Sequence, residues 1–200
     1  MREHLSKLIS TGNTKLPRTT AIFNMGSAHD CPSLKKGLCQ AFINGKCVCY
    51  AMKSEYSYHP GVLPYRRRQE KYWKTIKAET FVNEFTAMND RKRNSFTALR
   101  LNESGDFWSQ KCVDKAEKIA RLLKEDGVIT YCYTARKDLD FSKCKNIVIS
   151  GSGFKKKGIR GNFLFVIKAS DAPKGFGVCP GDCRGCVRCL IGMNTVIPKH

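Results

Sequence analysis

Residues 95–135 read SFTALRLNESGDFWSQKCVDKAEKIARLLKEDGVITYCYTA, and this stretch decides the fold. The opening SFTALRLN has the apolar run of a buried strand. WSQKCVDKAEKIARLLKEDG then turns Cys112, Ala116, Ile119 and Leu123 to one face of a helix that Gly127 stops, which makes Cys112 a core residue rather than a ligand. VITYCYTA (128–135) is a second apolar run of strand length.

The same alternation continues outward. TTAIFNM (19–25), KNIVISGSG (145–153) and NFLFVIKAS (162–170) read as further strands. Between 65 and 93, Trp73, Ile76, Phe81, Phe85 and Met88 recur at near-helical spacing, which predicts one amphipathic helix with an exposed Arg and Lys face. Near-continuous apolar strands alternating with helices predict an α/β fold with a mainly parallel sheet, open or curled into a partial (β/α) barrel. The expected organisation is a basic amino-terminal arm (1–18) and a single α/β domain (19–200) carrying long cysteine-rich loops at 26–64 and 171–200. Loops that long inside a domain are functional or tied by a ligand.

Eleven cysteines in 200 residues call for an explanation. Disulfide scaffolds are short secreted chains with even counts, whereas this chain opens without a secretory-type apolar run, so thiols that bind metal are the better reading. No segment approaches the roughly twenty apolar residues of a membrane span, and the cytoplasm of a bacterial host is the expected location.

The late group, Cys179, Cys183, Cys186 and Cys189 in VCPGDCRGCVRCLIG, contains two CxxC spacings that share Cys186. They cannot both be independent zinc knuckles, and four closely strung thiolates suit a 4Fe-4S cluster better than one zinc ion. The early group, Cys31, Cys39, Cys47 and Cys49, either holds a second cluster or completes a site shared with the late group. Cys179 to Cys186 also spells the CxxxCxxC of radical S-adenosylmethionine enzymes, in which three cysteines leave one iron open for the cofactor. Gly185 stands where that family carries an aromatic residue, and Cys189 supplies a fourth thiolate.

Functional groups of parallel sheets gather at the carboxyl ends of strands, so both cysteine loops are expected on one rim, beside Arg100, Asn102, Glu103 and Asp106. If the protein is an enzyme, Arg100, Glu103, Asp106 and Arg136 are its candidate catalytic residues. Asp106 or Ser109 capping the next helix is the competing explanation for NESGD. Capping does not explain Arg100 and Arg136, which need a counter-ion or an anionic ligand.

The 36 Lys and Arg against 17 Asp and Glu give a formal charge of +19 and name nucleic acid as the expected partner. Aromatic residues interleaved with basic ones in YSYHPGVLPYRRRQEKYW suit stacking on unpaired bases, with Tyr56, Tyr58 and Tyr65 the open rings.

The segments LPRTTAIFNMGSAHDCPS, CVCYA, RLNESGDFWS and YCYTARKDLDF together resemble the "gene product 88" family of bacteriophages and mobile elements. That resemblance implies a phage or mobile-element source. Cys49, Tyr50 and Ala51, with Ser104, Gly105 and Asp106, are also similar to phage proteins related to radical S-adenosylmethionine barrels, which implies a barrel-like α/β fold with iron–sulfur ligation. The expected function is an iron–sulfur protein acting on or with nucleic acid. The alternatives are a cluster-dependent enzyme, with S-adenosylmethionine as a possible cofactor, and a zinc-stabilised nucleic-acid-binding protein. The sequence leaves the oligomeric state open.

Overall fold

The computed structural model describes residues 3–39, 42, 43, 45–57, 60–91 and 95–198. Its main sheet contains β1 (Ser10–Thr11), β2 (Thr20–Phe23), β5 (Ala98–Leu101), β6 (Ile129–Thr134), β7 (Val148–Ser152), β8 (Gly161–Val166), β9 (Gly177–Val178) and β10 (Thr195–Pro198). The order across the sheet is β1-β2-β5-β6-β7-β8-β10-β9. Only the β1–β2 pair is antiparallel. All the other neighbours in this sheet run parallel. The sheet is open, as one of the two expected forms, and does not close into a barrel.

One face carries the main core. Phe23, Leu99, Leu101, Cys132 and Ile149 from the strands meet Trp73 of α3 (Val62–Thr75), Phe81 and Phe85 of α4 (Ala78–Asn89), and Ala116, Ile119 and Leu123 of α5 (Gln110–Glu125). Strand residues alternate between faces, so Ala98, Arg100, Tyr131, Tyr133 and Val148 point the other way. α5 follows the sequence expectation. Cys112 lies in the core, accepting from Trp73 Nε1 at 2.7 Å, and Gly127, at φ 73°, ends the helix in the left-handed region.

Three expectations need correction. The single helix of 65–93 is two, because Ile76 and Lys77 adopt extended backbone between α3 and α4. The break lets Trp73 and Phe81 both reach the core, with ring centroids 5.9 Å apart. Lys115 Nζ then satisfies the carbonyls of Trp73 and Ile76 that the break leaves open, at 2.5 and 2.9 Å. The amino-terminal segment is not an arm: Leu5 and Leu8 are fully buried in the core, and Ser10 and Thr11 form an edge strand. The segments expected as long loops hold regular structure. Residues 26–64 include α1 (Pro32–Lys35), a hairpin of β3 (Phe42–Ile43) and β4 (Lys46–Cys47), and α2 (Tyr50–Ser57). Residues 171–200 include β9, α6 (Arg188–Ile191) and β10. These pieces are short and irregularly patterned, and tertiary contacts rather than periodicity fix them.

Among the described residues, no helix is long and apolar enough to cross a membrane.

Candidate metal centres

The early cysteines sit at the carboxyl-end rim. The chain leaves β2 through Asn24, Met25 and Gly26, and it leaves β5 through Asn102 to Asp106. The two turns interlock: the Asn24 carboxamide oxygen accepts from the amides of Glu103 and Ser104 at 2.8 and 2.9 Å, and that of Asn102 accepts from Met25 N at 3.1 Å. Gly105 must be glycine. Its φ is 75°, and a Cβ there would lie 2.8 Å from the Gly26 carbonyl oxygen.

Asp106 is buried and holds this rim together. Its carboxylate accepts from Ser33 Oγ at 2.6 Å, Thr134 Oγ1 at 2.7 Å, Ala135 N at 2.9 Å and its neighbour Phe107 N at 2.8 Å. The capping explanation for NESGD is thereby overturned: Asp106 ties α1 to the end of β6, and Ser109 at the start of α5 makes no side-chain cap bond. Buried Glu55, on α2, does the same for the other side. It accepts from Ala28 N, His29 N and Ser104 Oγ, and pairs with buried Arg66 at 2.8 Å.

Cys31 and Cys39 lie near Asp106. Burial, then the carboxylate, pushes the Cys31 thiol up to about 12. Burial, then Cys49 and Asp106, pushes Cys39 up to about 11. Cys47 and Cys49 pack against the small cluster of Ala28, Ala51 and Met52. As free thiols Cys31 and Cys39 are protonated, so they bind metal only if the metal displaces the protons.

The late cysteines lie elsewhere, which corrects the expectation of one shared rim. The chain leaves β9 with Cys179 N donating to Val196 O, crosses the sheet until Cys183 N reaches Lys15 O, and returns through α6 over β6 and β7. Among the described residues, the long helices α3, α4 and α5 pack on one face of the sheet. Cys189 and Leu190 cover the other, packing on Ala98, Tyr131 and Val148.

Cys179, Cys183, Cys186 and Cys189 line one cleft of about 60 Å³ with Arg100, Tyr131, Tyr133 and Arg188. Burial, then the other three cysteines, raises the Cys183 thiol. Burial also raises Cys189, against the opposing hydrogen bond from Tyr133. Asp182 borders the cleft, but its carboxylate is taken by Arg184 at 2.9 and 3.0 Å. The donor set is therefore four soft thiols, which suits zinc or iron–sulfur chemistry and not magnesium or calcium. Among the described residues, no three Cys, His, Asp or Glu side chains are gathered around a single ion position.

Arg100 enters this cleft from β5. It is mostly buried, its guanidinium lies 3.7 Å from Glu103 and 5.5 Å from the Tyr133 ring centre, and its buried Nε has no hydrogen-bond partner. A buried unpaired N–H costs about 1–3 kcal/mol, more when charged, and a sulfur-bearing anion in the cleft would relieve it. The thiol set and this orphaned donor both fit a thiolate-bound cluster.

The other candidate catalytic residues are structural here. Arg136 is fully engaged, by Asp138 at 2.7 and 2.9 Å and by the Phe107 carbonyl, and needs no further anion. Glu103 is held by Asn13 at 2.6 Å. Sequence reasoning missed Glu55 and Arg66, although the signal is present. Glu55 shares a helical stripe with buried Ala51 and Met52, and Arg66 shares one with Gln69 and Trp73.

The stacking surface expected around α3 is engaged in part: Tyr65 packs against the core, and Arg67, Arg68 and Lys74 pair with Asp30, Glu3 and Glu70. Tyr56 is open as expected, 67% exposed while its hydroxyl bonds His29. Tyr58 lies outside the described residues.

No curated protein and no solved structure matches the chain. A family model described as Gene product 88 matches residues 4–152. The match spans the interlocked rim turns, the early cysteines, Glu55, Arg66, Arg100 and Asp106, and stops before the late cysteine run. Because it covers most of the sequence, the chain belongs to the Gene product 88 family.

Proposed function

We propose that the late cysteines bind a 4Fe-4S cluster and that this phage-type protein acts on or with nucleic acid. The observation that carries the cluster is the cleft in which Cys179, Cys183, Cys186 and Cys189 meet Arg100 and its unpartnered buried Nε. Four thiols strung closely along one cleft suit the four iron corners of a cubane better than one zinc ion. When bound, the cluster supplies one-electron chemistry. The protein's own contribution is to hold it on a sheet face, with the Tyr133 hydroxyl bonding Cys189 and the Arg100 charge opposing the negative charge of the thiolates. The early cysteines line no part of this cleft, so the cluster site named here belongs to the late group.

Nucleic acid follows from the +19 charge, which draws a polyanion by counterion release. Iron and acid-labile sulfide analysis of protein purified without oxygen tests the cluster, and stoichiometric zinc without iron overturns it. Oligonucleotide affinity that falls steeply with added salt supports the partner, and salt-independent binding or none removes it.

A further inference from the structure

We propose that the outer end of the cysteine-bearing sheet face, centred on Phe165, is a stacking platform for single-stranded nucleic acid. The proposal rests on the nucleic-acid reading above and names its surface. Phe163 and Phe165 alternate to the same face of β8, and Ile167 follows just past the strand. The Phe163 ring is fixed against Tyr133, with centroids 4.9 Å apart in an edge-to-face arrangement. Beyond it the row is bare: Phe165 is 57% exposed and Ile167 71%. Ile197 of β10 stands opposite Phe165 in the parallel register.

Charge decides what covers this row. Residues 153–198 carry eight Lys and Arg and two Asp. A second copy of a chain with a formal charge of +19 would meet like charge, whereas a polyanion meets opposite charge. An exposed ring on a segment of net positive charge is a combination that stacks bases while Lys and Arg meet phosphates. Side chains two apart on a strand are spaced by roughly 6.6 Å, about twice the 3.4 Å rise of a duplex strand, so the row suits splayed bases and not a stacked helix. These residues lie beyond the family match at 4–152, so the platform is a feature of this chain and not of the matched family segment.

The test is fluorescence anisotropy of the intact protein with a labelled oligothymidine and with a duplex of equal length. Wild type binds the single strand more tightly than the duplex, and Phe165→Ala weakens the single strand by about tenfold or more. Phe165→Leu keeps an apolar side chain and the same thermal unfolding midpoint, yet loses affinity with the ring. Lys71→Ala on α3 has the smaller effect. If wild type binds but Phe165→Ala is unchanged, the platform is wrong and the nucleic-acid reading stands. If wild type binds neither strand form, both fall. A wild-type dimer in sedimentation that Phe165→Ala dissociates also overturns the platform in favour of a self-interface.

Discussion

Arg100 Nη2 donates to the Tyr50 hydroxyl at 3.3 Å, and that hydroxyl donates to the Glu103 carbonyl at 2.6 Å. Tyr50 belongs to the early cysteine segment, while Arg100 lines the cleft of the late one. One guanidinium therefore joins the carboxyl-end rim to the sheet face, across two cysteine groups the fold keeps apart.

If Arg100 offsets the charge of a bound cluster, its removal must make the cluster harder to reduce. Net charge and hydrogen bonds to sulfur set such potentials. Arg100→Met is expected to shift the midpoint in the negative direction by roughly 59 mV, a tenfold change for a one-electron couple. Redox titration followed in the visible checks it, and a midpoint equal to wild type refutes the charge argument.

The Glu55–Arg66 pair is buried on both sides and carries the bonds that hold the turn at Ala28 and His29. Arg66→Met leaves a buried carboxylate uncompensated and should cost about 3–5 kcal/mol in urea unfolding. A loss below about 1 kcal/mol would mean that this pair does not anchor α2 and α3.

Asp106→Ala deprives two hydroxyls and two amides of their acceptor and should cost about 3 kcal/mol or more, while Asp106→Asn, which keeps one carbonyl oxygen, costs less. Cys31 should then alkylate faster in the metal-free protein, since α1 loses its tie to β6. Equal stability of the two variants would return Asp106 to the role of a simple turn residue.

The Arg136 hydrogen bonds hold the Asp138 carboxyl well below the usual carboxylate range. The folded state keeps this group ionised at pH values where the unfolded chain takes up a proton. Its contribution is therefore complete above the ordinary carboxylate value near 3.9 and is lost as pH falls toward the folded value. Asp138→Asn should flatten the acid limb of the stability curve below about pH 4. An acid limb identical to wild type would show that the pair adds nothing there.

The five strands β2, β5, β6, β7 and β8 and helix α5 were legible because their signals are local: apolar runs of strand length, a 3.6-residue stripe and a glycine stop. The break at Ile76 was hidden, since α3 and α4 both turn apolar residues to the same core and their combined pattern resembles one helix. The division of the cysteines was hidden for a topological reason. The carboxyl-end rule describes loops that lead to the next strand over a helix, but the chain from β9 to β10 returns between β8 and β9 and must cover a face that no long helix protects. The candidate residues were found as types. Their roles were not: Asp106 and Arg136 bind the protein's own loops, and Arg100 keeps an unpartnered donor.

The central claim is that the late thiols, and not the early ones, hold the iron. Its most direct test is the iron, sulfide and visible spectrum of anaerobically purified protein in three forms: wild type, Cys183→Ala/Cys186→Ala, and Cys31→Ala/Cys39→Ala. Wild type and the early variant should be brown with broad visible absorption and matching iron and sulfide, and the late variant should be colourless. A late variant that keeps its iron, or a colourless wild type with stoichiometric zinc, would contradict the account.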